Sequence, residues 1–174
     1  MNPTLYITRN VFRILVLMAA IPELTGLHEL TAQERPPRPI RVDATAQSLA
    51  FGAFYYGVTG GTVIIDPPDS RTATGDVVLL GLGYPYSAAL LEVHAHPGTI
   101  ISILNGPDVH LMGTPSGSMT LHIGNSLPAS PFVSVAQFNV AQQLYIGGTL
   151  TVGNATANPP GSYTGTFDLT FVQE

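Results

Sequence analysis

From residue 40 onward, apolar and polar side chains alternate in short runs separated by turn-forming residues. Ile40, Val42, Ala44 and Ala46 alternate with Arg41, Asp43 and Thr45, and Leu49, Phe51 and Ala53 form the next apolar row. Gly60-Gly61 is expected to open a strand over Thr62–Asp66, and Val77–Leu80 is a continuous apolar run closed by Gly81 and Gly83. Leu91, Val93 and Ala95 share the next face. Asn105-Gly106 is the strongest two-residue hairpin signal, joining Thr99–Leu104 to the row of Val109 and Leu111. Met119, Leu121 and Ile123 follow, and Leu144 and Ile146 precede a second glycine pair, Gly147-Gly148, expected to open the row of Leu150 and Val152. Phe167, Leu169 and Phe171 alternate most clearly of all. A period of two sends one set of side chains to a packed face and the other to water. Roughly ten such runs, with no amphipathic helical stretch of useful length, predict an all-β, immunoglobulin-like β-sandwich of short antiparallel strands. A closed barrel satisfies the same pattern and is the alternative fold.

The first residues have a different texture. Arg9 and Arg13 precede the apolar run Ile14–Ile21, which Pro22 ends. That run is shorter than the roughly 20 residues a membrane-crossing helix needs. It predicts a signal peptide over 1–32, cleaved near Ala32 or Gly26, rather than a buried amphipathic helix. Residues 33–39 (QERPPRP) read as a proline-rich linker or free extension, and 40–174 as the sandwich domain. The mature chain is then expected in the periplasm, at the cell surface or outside the cell, with no transmembrane segment.

Composition narrows the function classes. Hydrophobic residues make up 45% of the 174, enough for a real core, and charged residues only 10%. There is no lysine, and beyond Asp43 the sole basic residue is Arg71, set against Asp66, Asp69, Asp76, Glu92, Asp108, Asp168 and Glu174. Nucleic acid and anionic membrane surfaces are held by clusters of Lys and Arg, so both are poor partners here. The absence of cysteine excludes disulfides, thiolate metal sites and thiol nucleophiles.

Candidate chemistry is sparse. Glu92, His94 and His96 stand two apart and share one face of a strand, where neutral imidazoles and a carboxylate would suit a metal ion. The competing reading is the solvent face opposite Leu91, Val93 and Ala95, with His110 and His122 also facing outward. Asp66, Asp69, Asp76 and Asp108 are turn residues rather than an EF-hand-like calcium loop. Arg71 is expected to pair with Asp69 or Asp76. Tyr55, Tyr56, Tyr84, Tyr86, Tyr145 and Tyr163 are candidates for a glycan-binding face, with Tyr163 also placed to act as a corner residue bonding backbone. Asn154-Ala155-Thr156 matches a glycosylation acceptor. There is no G-x-S-x-G elbow, Ser116 is a turn serine, and His28-Glu29 lacks the second histidine of a zinc-protease helix.

One ordered set of motifs resembles a known family. Phe51-Gly52, Gly61-Thr62-Val63, Arg71, Gly75, Gly147-Gly148-Thr149-Leu150 and Tyr163-Thr164-Gly165-Thr166-Phe167 together resemble the bacterial exported domain-of-unknown-function family numbered 4402, over about Leu49 to Val172. That family is similar in texture to spore-coat-U-like and chaperone–usher pilin-like domains, which implies an immunoglobulin-like surface domain and brings no catalytic residues. The chain departs from the pattern in its histidine-rich middle and lacks the disulfide of many pilins. The expected function is that of a secreted structural or adhesive surface protein, pilin-like or coat-like, and not an enzyme, with no cofactor. Its partners would be further copies of itself or other envelope proteins. Assembly would use strand complementation, with Ile40, Val42 and Ala44 as a donor segment and Phe167, Leu169 and Phe171 as an exposed terminal edge. Pairing of 40–46 within its own domain is the simpler alternative. The rival functions are an extracellular binding module for glycan or envelope protein, and a metal-dependent enzyme using Glu92, His94 and His96.

Overall fold

The computed structural model describes residues 38–114 and 116–174. The signal-like residues 1–32 and most of the proline-rich stretch lie outside the described residues. Every described element is a β-strand: β1 (Arg41–Ala44), β2 (Ala50–Phe51), β3 (Phe54–Asp66), β4 (Ser70–Leu79), β5 (Tyr86–Ser87), β6 (Ala89–His94), β7 (Ile100–Asn105), β8 (Val109–Thr114), β9 (Ser118–Leu127), β10 (Phe132–Val133), β11 (Gln142–Val152), β12 (Ser162–Thr164) and β13 (Leu169–Gln173). Among the described residues no helix is long and apolar enough to cross a membrane.

The strands form a large antiparallel sheet, a three-stranded sheet β10-β7-β13 and a short β2-β5 pair. In the large sheet β11 is the spine. One of its edges carries β9, and the opposite edge is shared by β6, along Gln142–Ile146, and β3, along Gly148–Val152. β4 flanks β3, β1 flanks β6, and β8 and β12 extend beyond β9. The sheet curls into a half-barrel whose concave side faces the core.

The alternation read from the sequence locates that core. Met119, Leu121 and Ile123 of β9 and Leu144, Ile146, Leu150 and Val152 of β11 are all buried. They meet Val63 and Ile65 of β3, Ile101 of β7 and Phe132 of β10 in one cluster, on which Ile103, Phe167, Leu169 and Phe171 pack from the small sheet and its approach. Two antiparallel sheets sharing one core make the sandwich predicted from periodicity. Burying a Leu or Ile completely contributes roughly 1.5–3 kcal/mol, so this interior carries the fold without disulfides.

Two local expectations fail. The glycine pairs do not open strands but lie within long ones. Gly61 faces Gly75 across β3–β4, beside a register shift between Tyr56 and Gly61. Gly147 and Gly148 sit where β11 passes from β6 to β3, and a Cβ on Gly147 would strike the Ile65 carbonyl oxygen. Close approach of backbones, and the bending that bulges allow, explains glycine there better than a turn does. Asn105-Gly106 likewise does not close a hairpin. β7 belongs to the small sheet and β8 to the large one, so the segment is a crossover between sheets. The Asn105 amide spends its donors on the carbonyls of Ile123 and Gly124, at 3.1 and 3.2 Å, tying the sheets together.

Candidate interaction surface

The outer side of β6 carries the histidines. Val93 and Ala95 face the core, so Glu92, His94 and His96 share the other face, but that face is not wet as expected. His94 is itself buried, because the segment after β10 folds over it. Its Nδ1 donates to the Phe138 carbonyl oxygen at 3.0 Å, and its Nε2 lies 3.6 Å from Asp43 Oδ2. Asp43 in turn holds Arg41 Nε at 2.9 Å. The His96 ring stacks on Phe138 with centroids 5.2 Å apart, and its Nε2 is buried without a hydrogen-bond partner among the described residues. Glu92 stands across from Asp43 of β1 and Gln143 of β11. Among the described residues no three His, Asp or Glu groups stand where they could hold one metal ion. Two of the three residues weighed as ligands, His94 and His96, lie against Phe138, which follows β10.

Arg71 pairs with neither Asp69 nor Asp76. Its position on β4 aims the guanidinium at backbone: Nη1 donates to the carbonyls of Phe51 at 3.0 Å and Ala53 at 3.5 Å, and Nη2 to that of Leu80 at 3.1 Å. The same group lies 4.5 Å from the centre of the Tyr86 ring. Gly52, at φ +66°, leaves room for it, since a Cβ there would collide with Nη1. Arg71 thus staples the β2 region to the loop before β5. Asp69 Oδ1 instead accepts from the Ala88 amide at 3.2 Å, and Asp76 faces Thr59. On the surface nearby, Tyr55 pairs with Val78 across β3–β4, and Tyr84 and Tyr86 are exposed.

A second knot joins β3 to the segment before β12. The Tyr163 hydroxyl donates to the Pro159 carbonyl oxygen at 2.6 Å, which is the corner role read from the sequence. The Tyr56 hydroxyl donates to the Asn158 carbonyl oxygen, and the buried Asn158 amide accepts from the Gly153 N–H while donating to the carbonyls of Ser118 and Ala157. Burial raises both tyrosine pKa values, and for Tyr163 the neighbouring Tyr56 adds to the shift. Nothing in the sequence pattern marked Asn158 beyond its place before Pro159-Pro160. On the outer face of β8 and β9, His122 Nδ1 and Asp108 Oδ1 are 2.7 Å apart, and His110 lies beside Thr120.

The strand edges bear on assembly. Ile40 packs on the core, and Val42 and Ala44 lie in β1, which pairs with β6 of the same chain in the register Arg41↔His94 to Ala44↔Leu91. This segment is the domain's own first strand, not a free donor. Among the described residues β1, β4 and β12 each pair with one strand only at the margins of the large sheet, and β13 does the same in the small sheet, pairing with β7 and leaving its other edge open. Phe167, Leu169 and Phe171 pack on the core while remaining only half-buried. The outer face of the same small sheet exposes Val133, Ile100, Leu104 and Val172. Asp168 and Glu174 flank the strand, with Glu174 Oε1 accepting from Ser102 Oγ at 2.6 Å.

No curated relative and no solved structure matches the chain. A family model does, over residues 40–172, beginning where the alternating pattern begins and ending with the open strand. The chain belongs to the family described as domain of unknown function DUF4402.

Proposed function

We propose that this chain is an exported surface protein with a structural or adhesive role, and that it assembles by offering the edge of its last strand to another strand. The observation that carries the reading is the one-sided pairing of β13. An unpaired strand edge presents backbone donors and acceptors that a further strand can complete. The half-buried Leu169 and Phe171 would gain cover from that strand. The export signal read over 1–32 supports a location outside the cytoplasm, and the near absence of basic residues argues against a nucleic-acid partner. The role is non-enzymatic on this reading. Fractionation of cells carrying the full chain, followed by sizing and crosslinking of the surface fraction, tests it. The expected result is an envelope or extracellular protein recovered in complexes that crosslink through β13. Cytoplasmic recovery, or a monomer at every concentration, would refute it.

A second reading, a glycan-binding module, is favoured by the exposure of Tyr55, Tyr84 and Tyr86 around the Arg71 staple. Binding to envelope glycans that Tyr84→Ala leaves unchanged would remove it.

A further inference from the structure

We infer that the partner strand at the β13 edge is β13 of a second copy, giving a closed two-fold dimer whose formation is restrained by Asp168 and Glu174. This rests on the assembly reading above and names its partner.

The backbone of β13 defines what the edge offers. The Gly106 N–H donates to the Asp168 carbonyl and the Glu174 N–H to the Ile100 carbonyl, each at 3.0 Å. In an antiparallel ladder alternate residues turn both groups to the same neighbour. Asp168, Thr170, Val172 and Glu174 are therefore satisfied by β7, whereas Leu169, Phe171 and Gln173 aim N–H and C=O outward.

Among the described residues the small sheet has only one such edge. On its far side β10 is two residues long, and Pro131 just before it has no N–H to give. Beyond β10, the outward Ile103 amide already donates to Ser130 Oγ at 2.8 Å. A β13 edge finds no matching β10 edge on another copy, so head-to-tail continuation of the small sheet is blocked. The edges of β1, β4 and β12 belong to the large sheet, so the small sheet extends across copies by pairing β13 with β13, which closes as a dimer.

The full-length register is set by symmetry. With Phe171 on the two-fold axis, Leu169 faces Gln173 of the second copy and Phe171 faces its counterpart, forming roughly six backbone hydrogen bonds. Thr170 then lies opposite Val172. At the two ends Asp168 lies opposite Glu174, and like charges directly across a ladder oppose pairing. Across β7 the neighbours of these carboxylates are Gly106 and Ile100, which carry no charge. Asp108, just beyond Gly106, is engaged by His122. Among the described residues neither Asp168 nor Glu174 has an ion-pair partner. Centring the pair on Thr170 instead relieves the opposition but shortens the ladder.

The test combines sedimentation with residue-resolved amide exchange on the full chain, at low and high salt. Dimer is expected to increase with protein concentration and with salt. Dimerisation should slow exchange at Leu169, Phe171 and Gln173, while Thr170, Val172 and Glu174 are protected in both states. Asp168→Asn with Glu174→Gln should dimerise about tenfold more tightly at low salt. Gln173→Pro removes an outward N–H without touching the β7 ladder, and should weaken the dimer while Thr170 and Val172 stay protected. A dimer that leaves the three outward amides unprotected, or a double variant no tighter than the parent, would overturn the inference. Complexes in which β13 pairs with a strand other than β13 of a second copy would also overturn it while leaving the assembly reading intact. A monomer under all conditions would end both.

Discussion

Replacing Arg71 by Met keeps the aliphatic stem and removes the guanidinium, which isolates the staple. Two of its three carbonyl contacts are short, at 3.0 and 3.1 Å, and the third is at the outer limit, 3.5 Å. Two hydrogen bonds from a charged donor would contribute about 3–6 kcal/mol if wholly lost. Arg71 is only half-buried, so water re-satisfies part of this, and roughly half remains as a net effect. Losing the contact with the Tyr86 ring adds about 0.5–1 kcal/mol. The expected destabilisation is about 2–4 kcal/mol. Arg71→Lys should recover no more than part of it, because one ammonium cannot reach Phe51 and Leu80 with a planar fork. Urea unfolding followed by circular dichroism reads the effect directly. With a slope of about 1–3 kcal/mol/M, the midpoint for Arg71→Met should fall by on the order of 1–2 M. Gly52→Ala supplies the coupling, since its methyl collides with Nη1 only when Arg71 is present. In the Met background it should carry the penalty of about 1–2 kcal/mol for a left-handed backbone, together with a tight approach of the methyl to the Tyr84 carbonyl oxygen at 3.2 Å. A shift below about 0.5 kcal/mol for Arg71→Met would mean a surface arginine of the usual weak kind. A Lys variant as stable as the parent would show that a point charge suffices.

Two further outcomes concern the knot of Tyr56, Asn158 and Tyr163. Burial raises the Tyr56 and Tyr163 pKa values, so the folded state keeps their protons where the unfolded chain releases them. Stability from this source is complete below about pH 10 and is lost as pH rises through the raised folded values. Melting temperature should fall above that point, and less steeply in Tyr56→Phe with Tyr163→Phe; an equal slope would refute the assignment. Asn158→Ala strands the Gly153 N–H and the Ser118 carbonyl, and should destabilise by about 2–4 kcal/mol in chemical denaturation. A loss below about 1 kcal/mol would mean that water replaces the amide.

The sequence by itself determined the class of fold and most of its interior. Met119, Leu121, Ile123, Leu144, Ile146, Leu150 and Val152 were legible because a strand turns every second side chain to the same face, wherever that strand is placed. The corner role of Tyr163 was legible too, from its position before the last strand. Only the tertiary structure decided which strands are neighbours. Periodicity is a local property and carries no pairing partner, so Asn105-Gly106 looked like a hairpin although its two strands belong to different sheets. The same ignorance of neighbours hid Phe138, whose loop turns an outward histidine face into a covered one. It also concealed the target of Arg71, the carbonyls of Phe51, Ala53 and Leu80 rather than the aspartates at 69 and 76. For assembly the division is sharpest: β1 and β13 carry similar alternating patterns, and only the structure shows that β1 pairs with β6 at the margin of the large sheet while β13 pairs with β7 at the margin of the small one. An alternating strand shows which way its side chains turn, and only three-dimensional packing settles where its backbone hydrogen bonds go.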